Sequence, residues 1–216
     1  MKNIIFTGFS KSFGETDVFR NCNCSFSGGE ISCIMGPSGA GKTTLLNAVA
    51  GLIPYEGEIA IGDEKHQGIC TASVSYMFQE PRLIPQKTVF KNLDFALSAA
   101  LKNKAERRGK IEALLQTIGL ADAMNRYPAA LSGGMAQRVA LCRAFLYPSE
   151  ILLMDEPLKS LDDETKSRVL DTFMALWHND KRTTLFVTHD REDAVAVGGK
   201  VFVFPDKPIR FCTAGQ

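Results

Sequence analysis

Gly36-Pro37-Ser38-Gly39-Ala40-Gly41-Lys42-Thr43 is the stretch on which the fold turns. It fits the pattern G-x-x-x-x-G-K-[ST], whose meaning depends on what flanks it. Before it lies Glu30–Met35, which reads as a buried strand; after it a helix is predicted from about Lys42 to Ala50, stopped by Gly51 and Pro54. Between a buried strand and a helix, the glycines let successive backbone N–H groups converge on a β-phosphate, and the helix start adds its positive dipole end. Lys42 then reaches the β- and γ-phosphates, and the Thr43 hydroxyl is a ligand for Mg²⁺. Without those flanks the octapeptide would be no more than a glycine-rich turn.

Further along the chain, Ile151-Leu152-Leu153-Met154-Asp155-Glu156 is an apolar strand ending in two acids, which places both carboxylates at the carboxyl edge of a sheet, where open α/β folds bind ligands. Asp155 suits Mg²⁺, and Glu156 suits the general base that takes a proton from attacking water. Adjacent acids after a strand also serve as a helix N-cap and first-turn charge, so this pair gains its catalytic reading from the phosphate loop. His189 follows a strand predicted at Thr184–Thr188 and could donate to the γ-phosphate as a neutral imidazole; a lone histidine elsewhere is usually structural. Gln79, at the end of a strand predicted at Ser73–Phe78, carries an amide able to touch Mg²⁺ or water.

Apolar strands alternating with helices predict a mostly parallel sheet covered on both faces. Short strands are predicted at Ile4–Thr7 and Gly57–Ile61, and a terminal hairpin at Val201–Phe204 and Ile209–Cys212. From Val89 to Tyr147 the pattern is helical, with Ile111, Leu114, Leu115 and Ile118 forming an amphipathic stripe. A later helix carries Val169, Phe173, Leu176 and Trp177 on one side.

Leu131-Ser132-Gly133-Gly134-Met135-Ala136-Gln137-Arg138 opens the last helix of that block. Ser132 is a good N-cap, and Gly133 and Gly134 leave N–H groups exposed at a helix start, a second anion site in the same chain. Ser-Gly-Gly alone would be an ordinary softened helix start. Together with the motifs before and after it, the octapeptide resembles the L-S-G-G-Q signature of the ABC ATPase family. The resemblance covers essentially the whole chain. Phe13 resembles the aromatic that stacks on adenine, Gly36 to Thr44 the Walker A loop and Gln79 the Q-loop. Ile151–Glu156 resembles the Walker B strand, Ser160-Leu161-Asp162 the D-loop and His189 the switch histidine.

That resemblance implies a single ATPase domain over residues 1–216. It has a P-loop NTPase (RecA-like) core at about 1–86 and 148–216, a small antiparallel β subdomain and a helical subdomain at about 87–147. It also implies ATP and Mg²⁺ as ligands, and two copies meeting head to tail so that each signature faces the other's P-loop. Two positions depart from the family pattern: Met135 stands where Gln is usual, and the D-loop, often S-A-L-D, reads Lys159-Ser160-Leu161-Asp162. Phe78 to Pro85, Thr88 to Leu93 and Asp155-Glu156-Pro157-Leu158 look like the importer branch that handles nitrate, sulfonates, taurine or thiamine precursors. Such a subunit lies on the cytoplasmic face of the membrane, bound to a permease and served indirectly by a substrate-binding protein. Leu83, Ile84 and Phe90 either line a groove for a permease helix or pack in the core. A soluble ABC ATPase acting on ribosomes, nucleic acid or a regulatory partner is the alternative, but no long coiled coil separates the P-loop from the signature.

Composition sets outer bounds. Among 216 residues, 45% are hydrophobic, enough for a core, and 25 basic against 24 acidic residues provide no field for nucleic acid. The Lys102–Lys110 cluster reads as the solvated face of a helix start. Six cysteines without C-x-x-C spacing predict reduced thiols in a cytosolic protein, with Cys22 and Cys24 on one strand face. Neither a leader at Met1–Ser12 nor an apolar run of membrane-spanning length is found.

Overall fold

A computed structural model of the chain describes residues 1–204 and 207–211, folded as two units. The first comprises Met1–Tyr76, Ser149–Glu156 and Asp180–Gln216, and carries both sheets. In one sheet β1 (Ile4–Phe13) lies antiparallel between β2 (Thr16–Phe26) and β4 (Glu56–Ile61), and β5 (Glu64–Gln67) extends it beyond β4. The other runs β6 (Val74–Met77), β7 (Ile151–Asp155), β8 (Thr183–Val187), β3 (Ile31–Met35), β9 (Lys200–Val203), with β8 parallel to β7 and β3, and β9 parallel to β3. These are the predicted parallel core and small antiparallel sheet.

Every residue of β8 is buried, as are the first four of β3 and β7, which fits strands covered on both faces. Between the sheets the rings of Phe6, Phe9, Phe19, Phe26, Phe202 and Phe204 meet edge to face, with centroids 4.8–6.1 Å apart. Each such buried side chain is worth roughly 1.5–3 kcal/mol of transfer free energy. Cys22 and Cys24 alternate with polar neighbours on β2 and point into this core, on one face as their spacing requires.

The predicted terminal hairpin does not form. Instead β9 pairs with β3 of one sheet and β10 (Ile209–Phe211) pairs in parallel with β2 of the other. A hairpin of two such short strands would be marginal, whereas this arrangement buries Phe202, Phe204 and Ile209 among the aromatic rings. Cys212 lies outside the described residues.

The second unit, Met77–Pro148 with Pro157–Asn179, contains α2 (Val89–Leu97), α3 (Lys104–Thr117), α4 (Gly133–Leu146) and α5 (Asp163–Asn179). Leu93, Ile111, Leu115 and Val139 are fully buried at its centre, so the Ile111–Ile118 stripe does face a core. Leu83 belongs to the same cluster, the core reading of the two it allowed, and Phe90 packs against it. Arg107 is not on a solvated face: its guanidinium pairs with Asp94 at 2.5 Å and donates to the Leu101 and Lys102 carbonyls, both at 2.9 Å. Among the described residues, no helix is long and apolar enough to cross a membrane.

Candidate functional site

Because β8 lies between β3 and β7 with all three parallel, their carboxyl ends form one edge. From it leave the Gly36–Thr43 loop after β3, Asp155 and Glu156 at the end of β7, and His189 after β8. Pro37, Ser38 and Gly39 are exposed, while Ala40, Gly41 and Lys42 are buried where the loop turns into α1 (Lys42–Val49). Gly41 caps that helix at φ 99°, and a Cβ there would stand 2.5 Å from Val18 Cγ1, so both torsion and space require glycine. With no side-chain hydrogen bond at its cap and no acid in its first turn, the start of α1 presents its positive dipole end at this loop, which suits an anion.

Lys42 Nζ donates to the carbonyls of Gly36 at 2.7 Å and Pro37 at 2.9 Å, which curls the ammonium over the loop it serves. Thr43 Oγ1 donates to Asp155 Oδ1 at 3.1 Å. The Tyr76 hydroxyl donates to Asn47 Oδ1 at 3.0 Å and lies 3.5 Å from Asp155 Oδ2. Burial pushes the Asp155 carboxyl above its usual range, and Glu156 adds to the rise; the Thr43 bond opposes it. A hydroxyl and a carboxylate brought together at the foot of a phosphate loop are hard oxygen donors of the kind Mg²⁺ takes, so the residues present fit the metal.

Glu156 adopts φ 46°, left-handed and unusual for a side chain of its size, held by its own N–H donating to Val187 O at 3.0 Å. Its Oε2 lies 3.6 Å from His189 Nδ1, an approach rather than a hydrogen bond. The structure thus brings together Gly36 to Thr44, Asp155, Glu156 and His189. Phe13 lies at the end of β1, half exposed, with Lys11 Nζ 4.9 Å from its ring centroid.

The other candidates belong to the second unit. Gln79 sits in the loop after β6, its backbone carbonyl facing Gln137. Ser132 caps α4, accepting from Met135 N at 3.3 Å, with Gly133 exposed behind it. Met135 packs partly against the core of this unit, so the position that departs from the signature is filled by apolar contact. Asp162 Oδ1 accepts from Thr165 N at 3.0 Å, which holds its carboxyl below the usual range and makes it a cap for α5. Sequence reasoning passed over Gln137 and Arg143, although both are polar positions on a helix that buries half of its residues.

A parallel sheet that delivers a phosphate loop, a hydroxyl–carboxylate pair and a carboxylate beside an imidazole to one edge defines a nucleoside-triphosphatase of the P-loop class. The sequence profile of the family described as ABC transporter matches residues 19–159, and the chain belongs to that family as one of its ATP-hydrolysing cassettes. The chain is 39% identical over 203 residues to the aliphatic sulfonates import ATP-binding protein SsuB of Bacillus licheniformis, spanning 94% of this chain and 78% of that one. The protein of the same name from Rhodopseudomonas palustris is 40% identical over 203 residues, spanning 94% and 70%. The sulfate/thiosulfate import ATP-binding protein CysA of a Synechocystis strain is 36% identical over 210 residues, spanning 96% and 59%. A dimeric post-hydrolysis state of the ATP-binding cassette MJ0796, bound to ADP and Pi, superposes with a TM-score of 0.83 at 29% identity over 98% of each chain. The likeness to the importer branch that handles nitrate, sulfonates, taurine or thiamine precursors is borne out by relatives named as import ATP-binding proteins for aliphatic sulfonates and for sulfate.

Proposed function

We propose that this cassette hydrolyses ATP as one of two copies joined head to tail, and that closure and reopening of the pair drive a membrane permease importing a small oxyanion such as a sulfonate. The convergence of the Gly36–Thr43 loop, Asp155, Glu156 and His189 at three adjacent strand ends carries this reading, together with relatives named as import ATP-binding proteins. Gly36, Pro37, Ser38, Gly39, Ala40 and Gly41 wrap the β-phosphate, Lys42 reaches the γ-phosphate, and Thr44 adds an amide. Phe13 stacks on adenine. Thr43 and Asp155, with the Gln79 amide, would hold Mg²⁺, which when bound neutralises charge on the phosphates. Glu156 takes the proton from attacking water, and His189 orients it. Ser132, Gly133, Gly134 and Asp162 act on the nucleotide of the other copy.

In this reading residues 1–216 work as one domain on the cytoplasmic face of the membrane, held there by the permease. An extracytoplasmic binding protein supplies cargo to the permease, and nucleic acid has no part. The test is purification of tagged chain from detergent-solubilised membranes. A multi-span protein is expected in stoichiometric amount; recovery with ribosomes and no membrane protein would overturn the proposal.

A further inference from the structure

Gln137 lies on the second turn of α4 and is 3% exposed, a neutral polar side chain within an otherwise largely apolar helix face. Its Nε2 has two hydrogens and two acceptors: Pro157 O at 2.5 Å and Gln79 O at 3.5 Å. The pair of acceptors is not arbitrary. The chain passes from the first unit into the second at Tyr76–Met77 and again at Glu156–Pro157. One amide therefore ties together the two segments through which the second unit is entered, the first ending on Gln79 and the second beginning directly after Glu156.

From this geometry we infer that Gln137 is a positioning residue for ATP hydrolysis, holding the Gln79 loop and the backbone that follows Glu156 in fixed register. Pro157 has a locked φ and no N–H, so its carbonyl is the only main-chain hydrogen-bonding group that this residue offers a side chain. Glu156 meanwhile sits at φ 46°, a torsion that persists only where its surroundings fix it. Gripping Pro157 O fixes the peptide that begins one residue beyond Glu156, and the locked φ of Pro157 limits how far the chain between them can swing. The same helix holds the Gln79 loop at a second point. Arg143 Nη1 donates to Arg82 O at 2.7 Å and Nη2 to Pro81 O at 3.0 Å, with Arg82 itself left-handed at φ 42°. The Gln79 loop and the residue that follows Glu156 therefore share one buried amide.

This inference rests on the roles proposed above for Gln79 and Glu156. It is tested in the full chain with Q137M, which keeps length and volume but loses both donors, and with Q137N, which keeps the amide but loses its reach. Both should lower kcat for ATP by about 10–100-fold, the cost of small misplacements near a reacting centre. Affinity for a fluorescent ATP analogue and KM should stay within about twofold, since uniform binding is untouched. Added to E156Q, Q137M should change the residual single-turnover rate less than about twofold, because the group it positions is already gone. A folded Q137M or Q137N with kcat within twofold of the parent would overturn the assignment, as would a loss confined to KM or an equal loss in the E156Q background. If E156Q itself hydrolyses ATP rapidly, the role of Glu156 fails instead, and the two failures are told apart.

Discussion

Thr43 Oγ1 donates a hydrogen bond to Asp155 Oδ1 at 3.1 Å, joining the first turn of α1 to the end of β7. Burial raises the Asp155 carboxyl above its unfolded value, so its ionised form costs the fold stability once the pH exceeds the unfolded carboxylate range. The cost is absent at lower pH and complete above the raised value. D155N removes it while leaving an oxygen for Thr43 and an amide for Tyr76. Its Tm at neutral pH is expected to rise by about 2 °C, the shift that a fraction of a kcal/mol gives at this chain length. Mg²⁺-dependent ATP turnover should fall at least about 100-fold. Calorimetry against pH, with phosphate release on the same samples, checks both halves; an unchanged Tm would refute the burial argument.

Gly133 and Gly134 are neighbours with different surroundings. A Cβ on Gly133 would meet nothing within 4 Å, whereas one on Gly134 would stand 2.2 Å from Thr165 Cγ2. G134A should therefore unfold at a lower temperature, by about 1–3 kcal/mol of overpacking. G133A should unfold like the parent. If a second copy brings its nucleotide to this helix start, G133A nevertheless loses ATP-driven dimerisation on size exclusion. Normal dimerisation by G133A would leave the open space at Gly133 without the proposed occupant.

Lys42 Nζ fits between two carbonyls at 2.7 and 2.9 Å, in a loop that encloses all but 6% of its residue. A planar guanidinium is larger and directs its donors in a fixed fork, so it does not replace a compact ammonium here. K42R and K42A should both weaken ATP binding by about 100-fold in equilibrium titration. Retained affinity in K42R would mean that charge alone, without the enclosed fit, binds the phosphates.

Much of this was legible from residue order. The buried runs Ile31–Met35, Ile151–Asp155 and Thr183–Val187 are mostly apolar, and each hands its functional group to the edge at a predictable end. β2 was legible only in the alternation around Cys22 and Cys24; before them Arg20 and Asn21 break the pattern, and Asn21 turns left-handed at φ 47°. β5 was not legible, because it has no apolar residue and exists through its pairing with β4. Gly8, left-handed inside β1, hid that strand beyond Thr7. The partners of Gln137 and Arg107 are backbone carbonyls and a carboxylate distant in sequence, which local pattern does not encode. Asp162 shows the converse: its motif position was evident, but its hydrogen bond to Thr165 N was not.

Glu156 and His189 meet at 3.6 Å with unequal exposure, the carboxylate side chain at 17% and the imidazole at 58%. A base that is mostly buried yet points toward an accessible histidine can take a proton from water held between nucleotide and imidazole. E156Q keeps size and shape and loses the basicity. It should bind ATP with unchanged affinity, assemble into a stable ATP-bound dimer on size exclusion, and turn over about 10²–10⁴-fold more slowly. H189A should lower turnover in the same direction, and the double variant should be no slower than the worse single one, because the two groups act on one water. Multiplicative losses would separate their roles. Rapid hydrolysis by E156Q would remove Glu156 as the base, while slow hydrolysis without an accumulated dimer would break the link between turnover and reopening of the pair.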